Sequence, residues 1–137
     1  MNELVVLDTS AIFAFLEDEQ GADKVRDYID AATRGKTRIL LCFVTLTELR
    51  YVVIQEHDDV AADRAVAMVK AWPVEWVHSG EDLCRAAADL KARHRISLAD
   101  AFIAATAQQH GAGLVHKDPE FDALAEEIQL LPLPYKS

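Results

Sequence analysis

Apolar residues fall along the chain in two patterns, short unbroken runs and stripes at helical spacing. Leu4-Val5-Val6-Leu7 and Ile39-Leu40-Leu41-Cys42-Phe43-Val44 are unbroken runs, as expected of strands covered on both faces in a parallel sheet. Val74 to Val77 and Gly113 to Val115 predict two more short strands. Val25, Tyr28, Ile29 and Ala32 recur at i, i+3, i+4 and i+7, as do Leu83, Ala86, Ala87 and Leu90, so each set predicts a helix with one apolar and one polar face. Ala11 to Leu16 also reads as helical. Ala101 to Ala107 is apolar or small on every side and predicts a buried helix.

The resulting order of strand, helices, strand, helices, strand, helices, strand predicts an α/β sandwich around a mainly parallel sheet. Gly21, Gly35, Gly80 and Gly111 punctuate element ends, and Pro73 breaks the helical pattern ahead of Val74. None marks a long linker, so residues 1–137 are expected to form a single domain.

Composition adds limits. A chain of 137 residues that is 51% hydrophobic can build one real core. No stretch approaches the ~20 apolar residues of a membrane span. The run Leu4 to Leu7, flanked by Glu3 and Asp8, is too short for a signal-peptide core. A soluble cytoplasmic protein is therefore expected. Cys42 and Cys84 each lack a nearby second cysteine and read as reduced core residues. The formal net charge of −9 argues against nucleic-acid binding through global electrostatics. Any such binding must be local.

Four acids then draw notice. Asp8 directly follows the first strand, at the carboxyl edge where open α/β sheets build their sites; it is also a favoured residue for capping the next helix. Thr45-Leu46-Thr47-Glu48 and Ser97-Leu98-Ala99-Asp100 both match the capping box that opens helices. Yet Glu48 sits at the margin of the Leu49, Val52, Val53 stripe, and Asp100 enters the apolar helix, where a carboxylate needs a partner. Asp118 follows the last strand as Asp8 follows the first, and it too is a candidate N-cap, ahead of Pro119. Parallel strands ending on one edge would bring these acids together. Converging carboxylates repel one another, and hard oxygen ligands at such spacing suit Mg²⁺ or Mn²⁺. The chemistry this favours is phosphoryl transfer to a metal-activated water.

The segments Leu7-Asp8-Thr9-Ser10-Ala11-Ile12, Thr45 to Leu49, Leu98 to Ala105 and Leu114-Val115-His116-Lys117-Asp118-Pro119-Glu120-Phe121 together resemble the PIN-domain family, VapC-type toxins above all. The matches keep the family's order and cover most of the chain. The resemblance implies a three-layer α/β/α sandwich with a four- or five-stranded sheet, and an endoribonuclease that uses Mg²⁺ or Mn²⁺ to cut RNA. It implies that Asp8, Asp100 and Asp118 hold the metal, that Glu48 binds it or orients the water, and that Ser10 supports them by hydrogen bonding. It also implies a toxin neutralised by a small cognate antitoxin protein, often as a dimer.

His116 departs from the Thr or Ser that the family commonly carries there. It stands as a contact to the scissile phosphate, a metal ligand or simply a strand end. Arg34, Lys36 and Arg38, and again Lys91, Arg93 and Arg95, form basic clusters that either flank the cleft and hold phosphates or are solvated helix ends. His57 reads as a solvated helix end, and Tyr51, Trp72 and Trp76 as core or interface residues. The competing readings are a catalytically idle binding module, a housekeeping RNA-processing nuclease, and an aspartyl-phosphate phosphatase. The last would want a second Asp at the position of Ser10.

Overall fold

Every predicted strand forms, and each is followed by helices that return the chain to the start of the next. The structure, a computed structural model, describes residues 3–136. The chain runs β1 (Glu3–Leu7), α1 (Thr9–Leu16), α2 (Ala22–Thr33), β2 (Thr37–Cys42), α3 (Phe43–Glu56) and α4 (Asp59–Lys70). It continues through β3 (Val74–Val77), α5 (Glu81–Arg93), α6 (Leu98–His110), β4 (Gly113–His116), a 3-10 helix (Pro119–Leu124) and β5 (Leu130–Pro132). The sheet has five strands in the order β3-β2-β1-β4-β5, and every pair is parallel, with Val5 opposite Ile39 and Val6 opposite Leu114.

Side chains alternate across this sheet and separate two apolar layers. Val6, Leu40, Cys42 and Leu114 face α5 and α6, where they meet Leu83, Ala87, Leu90, Ile103 and Ala104. Val5, Leu7, Ile39, Leu41 and Val115 face the other way and meet Ala11, Ile12, Val25, Tyr28, Leu49 and Val69. Both faces are covered, which is why the strand segments read as continuous apolar runs rather than alternating ones. Helix α6 is buried along Asp100, Ala101 and Ile103 to Ala107, and it ends at Gly111, whose φ of 60° suits a residue without a Cβ.

The connections explain where a site can form. From β1 the chain steps outward to β2 and β3, then crosses back to place β4 and β5 on the other side of β1. The strand order therefore reverses beside β1, and loops leaving the carboxyl ends of β1 and β4 diverge around a crevice there.

Three expectations are corrected. The second apolar run does not remain extended to Val44: Cys42 ends β2 and Phe43 and Val44 already belong to α3, packed against the α6 layer. Apolar runs do not mark the point where an inward-facing strand becomes an inward-facing helix. Cys84 lies on the exposed side of α5, whereas Cys42 is buried. Finally, Arg34, Lys36 and Arg38 lie at the start of β2, the edge opposite the crevice, and Arg38 is engaged there by Glu75 at 2.8 Å.

Candidate active site

Asp8 performs the capping role and is also held at the crevice. It is the N-cap of α1, and its backbone N–H donates to Val115 O at 2.9 Å, tying the end of β1 to β4. Ser10 N donates to Asp8 Oδ2 at 3.0 Å, and the Ser10 hydroxyl donates to the same oxygen in a short bond. Lys117 N in turn donates to Ser10 Oγ at 2.9 Å. The network fixes Oδ2 and leaves Oδ1 buried without a partner.

Glu48 reaches the crevice by a route the sequence pattern misdescribed. Because α3 begins at Phe43, Glu48 lies in its second turn and no capping box forms at Thr45. The Thr45 hydroxyl is instead buried, 3.1 Å from Thr9 Oγ1, and Thr9 donates to Glu48 Oε1 at 2.7 Å. The next residue after Asp8 thereby positions the second acid.

On α6 the expected cap forms by half. Ser97 is the N-cap and accepts from Asp100 N at 3.1 Å. Ser97 N in turn donates to Glu120 Oε2, at 3.1 Å, rather than to Asp100. Released from that duty, the Asp100 carboxyl turns inward and is only 7% exposed. Asp118 caps the 3-10 helix through Oδ1, which accepts from Glu120 N at 2.9 Å. Asp100, Asp118 and Glu120 each offer a carboxylate oxygen, and these atoms lie within 4.8 Å of one another. Asp8 and Glu48 are close enough to feel Asp118 electrostatically, and Asp100 feels Asp8 as well as Asp118.

The arrangement has a chemical consequence. Asp8, Glu48 and Asp118 are each anchored through one oxygen by a hydroxyl or a backbone N–H, which leaves the second oxygen of each available to a ligand, while Glu120 is held by Ser97 N and by the Asp100 carboxyl. Burial pushes Asp8 up to about 7, aided by the charges of Glu48 and Asp118 and opposed by the Ser10 bonds. Burial also raises Glu48, against its bond from Thr9. Asp100 is driven upward by burial and then by Glu120, and the proton it keeps holds Glu120 below the usual carboxylate range. Carboxylates raised in this way relax when a cation replaces the proton. Hard oxygen donors around the orphaned Asp8 Oδ1 fit a small divalent cation such as Mg²⁺ or Mn²⁺.

The remaining candidates are placed differently. His116 ends β4 and is fully buried. Its Nδ1 accepts from Asp118 N at 3.2 Å, and its ring packs edge-on to Phe121 at 5.1 Å. Burial lowers its pKa, and no face of the ring is open to a phosphate. Of the three readings open for it, the structure shows a strand end whose ring grips the backbone of Asp118. Arg93 ends α5 and Arg95 follows it, both exposed on the approach to Ser97. Glu120 was not singled out from the sequence; its spacing of two from Asp118 resembled an ordinary helix-start acid, which it also is. Thr9 carried no signal of its own.

The sequence matches the family model of the PIN domain over residues 5–127. No curated protein matches it. Among solved structures the fold is similar to that of VapBC2 from Rickettsia felis bound to a DNA fragment from its promoter. There the TM-score is 0.77 at 16% identity, over 96% of this chain and 99% of that one. It is also similar to DNA-bound VapBC from Salmonella typhimurium, with a TM-score of 0.72 and 20% identity over 96% and 98% of the two chains. A third similar structure is VapC20 of Mycobacterium tuberculosis, a sarcin-ricin loop cleaving toxin, with a TM-score of 0.64 and 22% identity over 87% and 93%.

Proposed function

The chain belongs to the PIN-domain family, and we propose that it is a metal-dependent endoribonuclease, the toxin of a toxin–antitoxin pair. One observation carries the reading: five acids from four separate segments gather at the crevice beside β1 within electrostatic reach of one another, and three of them, Asp8, Glu48 and Asp118, are held by one oxygen with the other free. Capping and backbone contacts alone do not account for gathering the charges in one place, since clustered carboxylates are costly without a counter-ion.

In this reading Asp8, Asp100, Asp118 and Glu120 would hold Mg²⁺ or Mn²⁺, with Glu48 at the margin of the group. The cation supplies Lewis-acid activation of water and of the phosphoryl oxygen when bound. The chain's own residues do the rest. Ser10, itself held by Lys117 N, keeps Asp8 Oδ2 occupied and leaves Oδ1 without a protein partner. Thr9 holds Glu48 by Oε1, which leaves Oε2 to accept a proton from the attacking water. Arg93 and Arg95, exposed beside the α6 cap, would hold neighbouring phosphates of an RNA whose global attraction to an acidic protein is weak. His116 would keep the Asp118 backbone in place.

The toxin role rests on likeness to VapBC structures and on a groove between α1, α3 and α4 lined by Leu16, Val53, Ala61 and Met68. A small antitoxin would cover it. Toxin dimers and a cytoplasmic location belong to the same proposal; no helix of the described residues is long and apolar enough to cross a membrane.

Incubation with a panel of folded RNAs tests the chemistry. Cleavage should require Mg²⁺ or Mn²⁺, leave 5′-phosphate and 3′-hydroxyl ends, and vanish with EDTA or in Asp8→Asn. Metal-independent cleavage that yields cyclic phosphates would sink it. Induced expression should arrest growth, and co-expression of a neighbouring short reading frame should rescue it.

A further inference from the structure

Beside the acids, but not lined by them, is a cavity of about 410 Å³ between α1, α3 and the segment that follows β5. Ser10 and Pro119 form its border with the crevice; they are the neighbours that hold Asp8 and follow Asp118. Phe13 and Tyr135 give it aromatic walls. Tyr135 is fixed there, its hydroxyl donating to Asp122 Oδ1 at 2.7 Å and its ring 6.0 Å from that of His116. Glu17, Glu19 and Glu56 complete the lining with carboxylates. Glu19 is paired with Lys136 at 2.9 Å and Lys117 at 3.5 Å. Among the described residues Glu17 and Glu56 have no ion-pair partner.

We propose that this cavity is a base-specific subsite that receives a guanine of the RNA next to the phosphate held at the acids. The base lies against Phe13 and Tyr135, and its N1–H and N2 amino groups donate to Glu17 and Glu56. The inference rests on the RNA-cleaving reading above and deepens it.

Four considerations lead there. The volume lies within the ~300–1,000 Å³ of small-ligand pockets. Sequence-reading proteins take single-stranded RNA bases out of the stack, sandwich them on aromatic rings and read their Watson–Crick edges. Ionised carboxylates only accept hydrogen bonds, so they reject an edge that presents an acceptor and favour one with adjacent donors. Guanine alone of the four bases carries two neighbouring N–H groups on that edge, and its O6 acceptor beside them suits a cavity whose lining also includes Lys117 and Lys136. The position matters as well: an arginine from a protein partner would also satisfy two carboxylates, but a cavity that borders the acid crevice at Ser10 and Pro119 is placed to take the base adjoining a phosphate held there.

Calorimetric titration with 5′-GMP, 5′-IMP and 5′-AMP in the presence of Mn²⁺ tests the assignment, because IMP differs from GMP only by the missing N2 amino group. GMP should bind wild-type protein at least about tenfold more tightly than either of the others. The double variant Glu17→Gln, Glu56→Gln should lose that preference while its melting temperature still rises with Mn²⁺ as in wild type. Equal binding of the three nucleotides, or a GMP preference that survives in the double variant, would overturn the proposal. So would binding of N-acetylarginine amide at this cavity with none of GMP, which would make it a seat for a partner's arginine. RNA cleavage without preference for a base at any fixed offset overturns the subsite and leaves the nuclease intact. A GMP preference in a protein that cuts no RNA overturns the nuclease and leaves the subsite.

Discussion

At the scale of single residues, most of the acids at the crevice combine a local structural duty with a place in one charged group, and that double use shapes what substitutions do. Glu120→Gln keeps an oxygen for Ser97 N but removes a charge from the group it forms with Asp100 and Asp118. We expect Mn²⁺ affinity to fall about tenfold to a hundredfold, by the scale on which metal-site partners act, with little change in metal-free melting. A thermal-shift titration reads this directly, and an unchanged Mn²⁺ midpoint would place Glu120 outside the metal site. His116→Thr makes a second case. The ring is fully buried and grips Asp118 N through Nδ1, a bond that a threonine hydroxyl can replace in kind but with a smaller side chain. Stability should fall, because a cavity is left beside Phe121, while at least a substantial part of kcat/KM survives. A loss beyond ~100-fold, roughly 2.7 kcal/mol of transition-state stabilisation, would show that the imidazole takes part in the chemistry.

At the scale of elements, legibility in the sequence followed periodicity, and it failed where two periodicities or two roles met. The strands at Leu4, Ile39 and Leu114 were plain because both of their faces are buried, while the edge strand at Val74 is only partly covered and was marked by Pro73 ahead of it. β5, only three residues long and containing Pro132, offers too short a run to stand out from a tail. Glu48 stands beside Thr9 at the crevice, but from the second turn of a helix that starts two residues before Thr45; side-chain preference at a helix start is a weak guide when Cys42 caps without any side-chain bond. The cap at Ser97 was legible, whereas its reciprocal partner was not, because Glu120 arrives from 23 residues away. That cap also carries a prediction. Ser97→Ala removes the acceptor for Asp100 N and should cost about 1 kcal/mol, a drop of roughly 2–5 °C in melting temperature for a chain of this size. Ser97→Thr should recover most of it. Equal melting of all three proteins by calorimetry would mean that Glu120 alone organises the start of α6.

For the molecule as a whole, the metal-free protein is held together against its own active site, and pH exposes that opposition. Asp8 is raised to about 7 and Asp100 is raised as well, in both cases chiefly by burial. A carboxyl raised in the native state keeps its proton after the unfolded chain, titrating near 4, has released its own. The stability such a group contributes is therefore complete below about pH 4 and is lost as pH rises toward the native value. The slope is at most about 1.4 kcal/mol per pH unit for each group. Asp100→Asn removes one of them, so in EDTA the variant should match wild type near pH 4 and exceed it increasingly up to pH 7.5, by about 1–3 kcal/mol after relaxation and screening. The net charge of −9 also destabilises the compact state, but added salt relieves that surface repulsion far more than it relieves buried carboxylates. The advantage of the variant should therefore persist at high salt. Bound Mn²⁺ should reverse the order, because wild type gains stability with site occupancy and the Asn variant, short of a ligand, gains much less. Urea melts of both proteins at pH 4, 5.5 and 7.5, in EDTA and in Mn²⁺, contain the whole comparison. A variant less stable than wild type at every pH in EDTA, yet equally stabilised by Mn²⁺, would reduce Asp100 to part of the helix cap and remove it from the metal site.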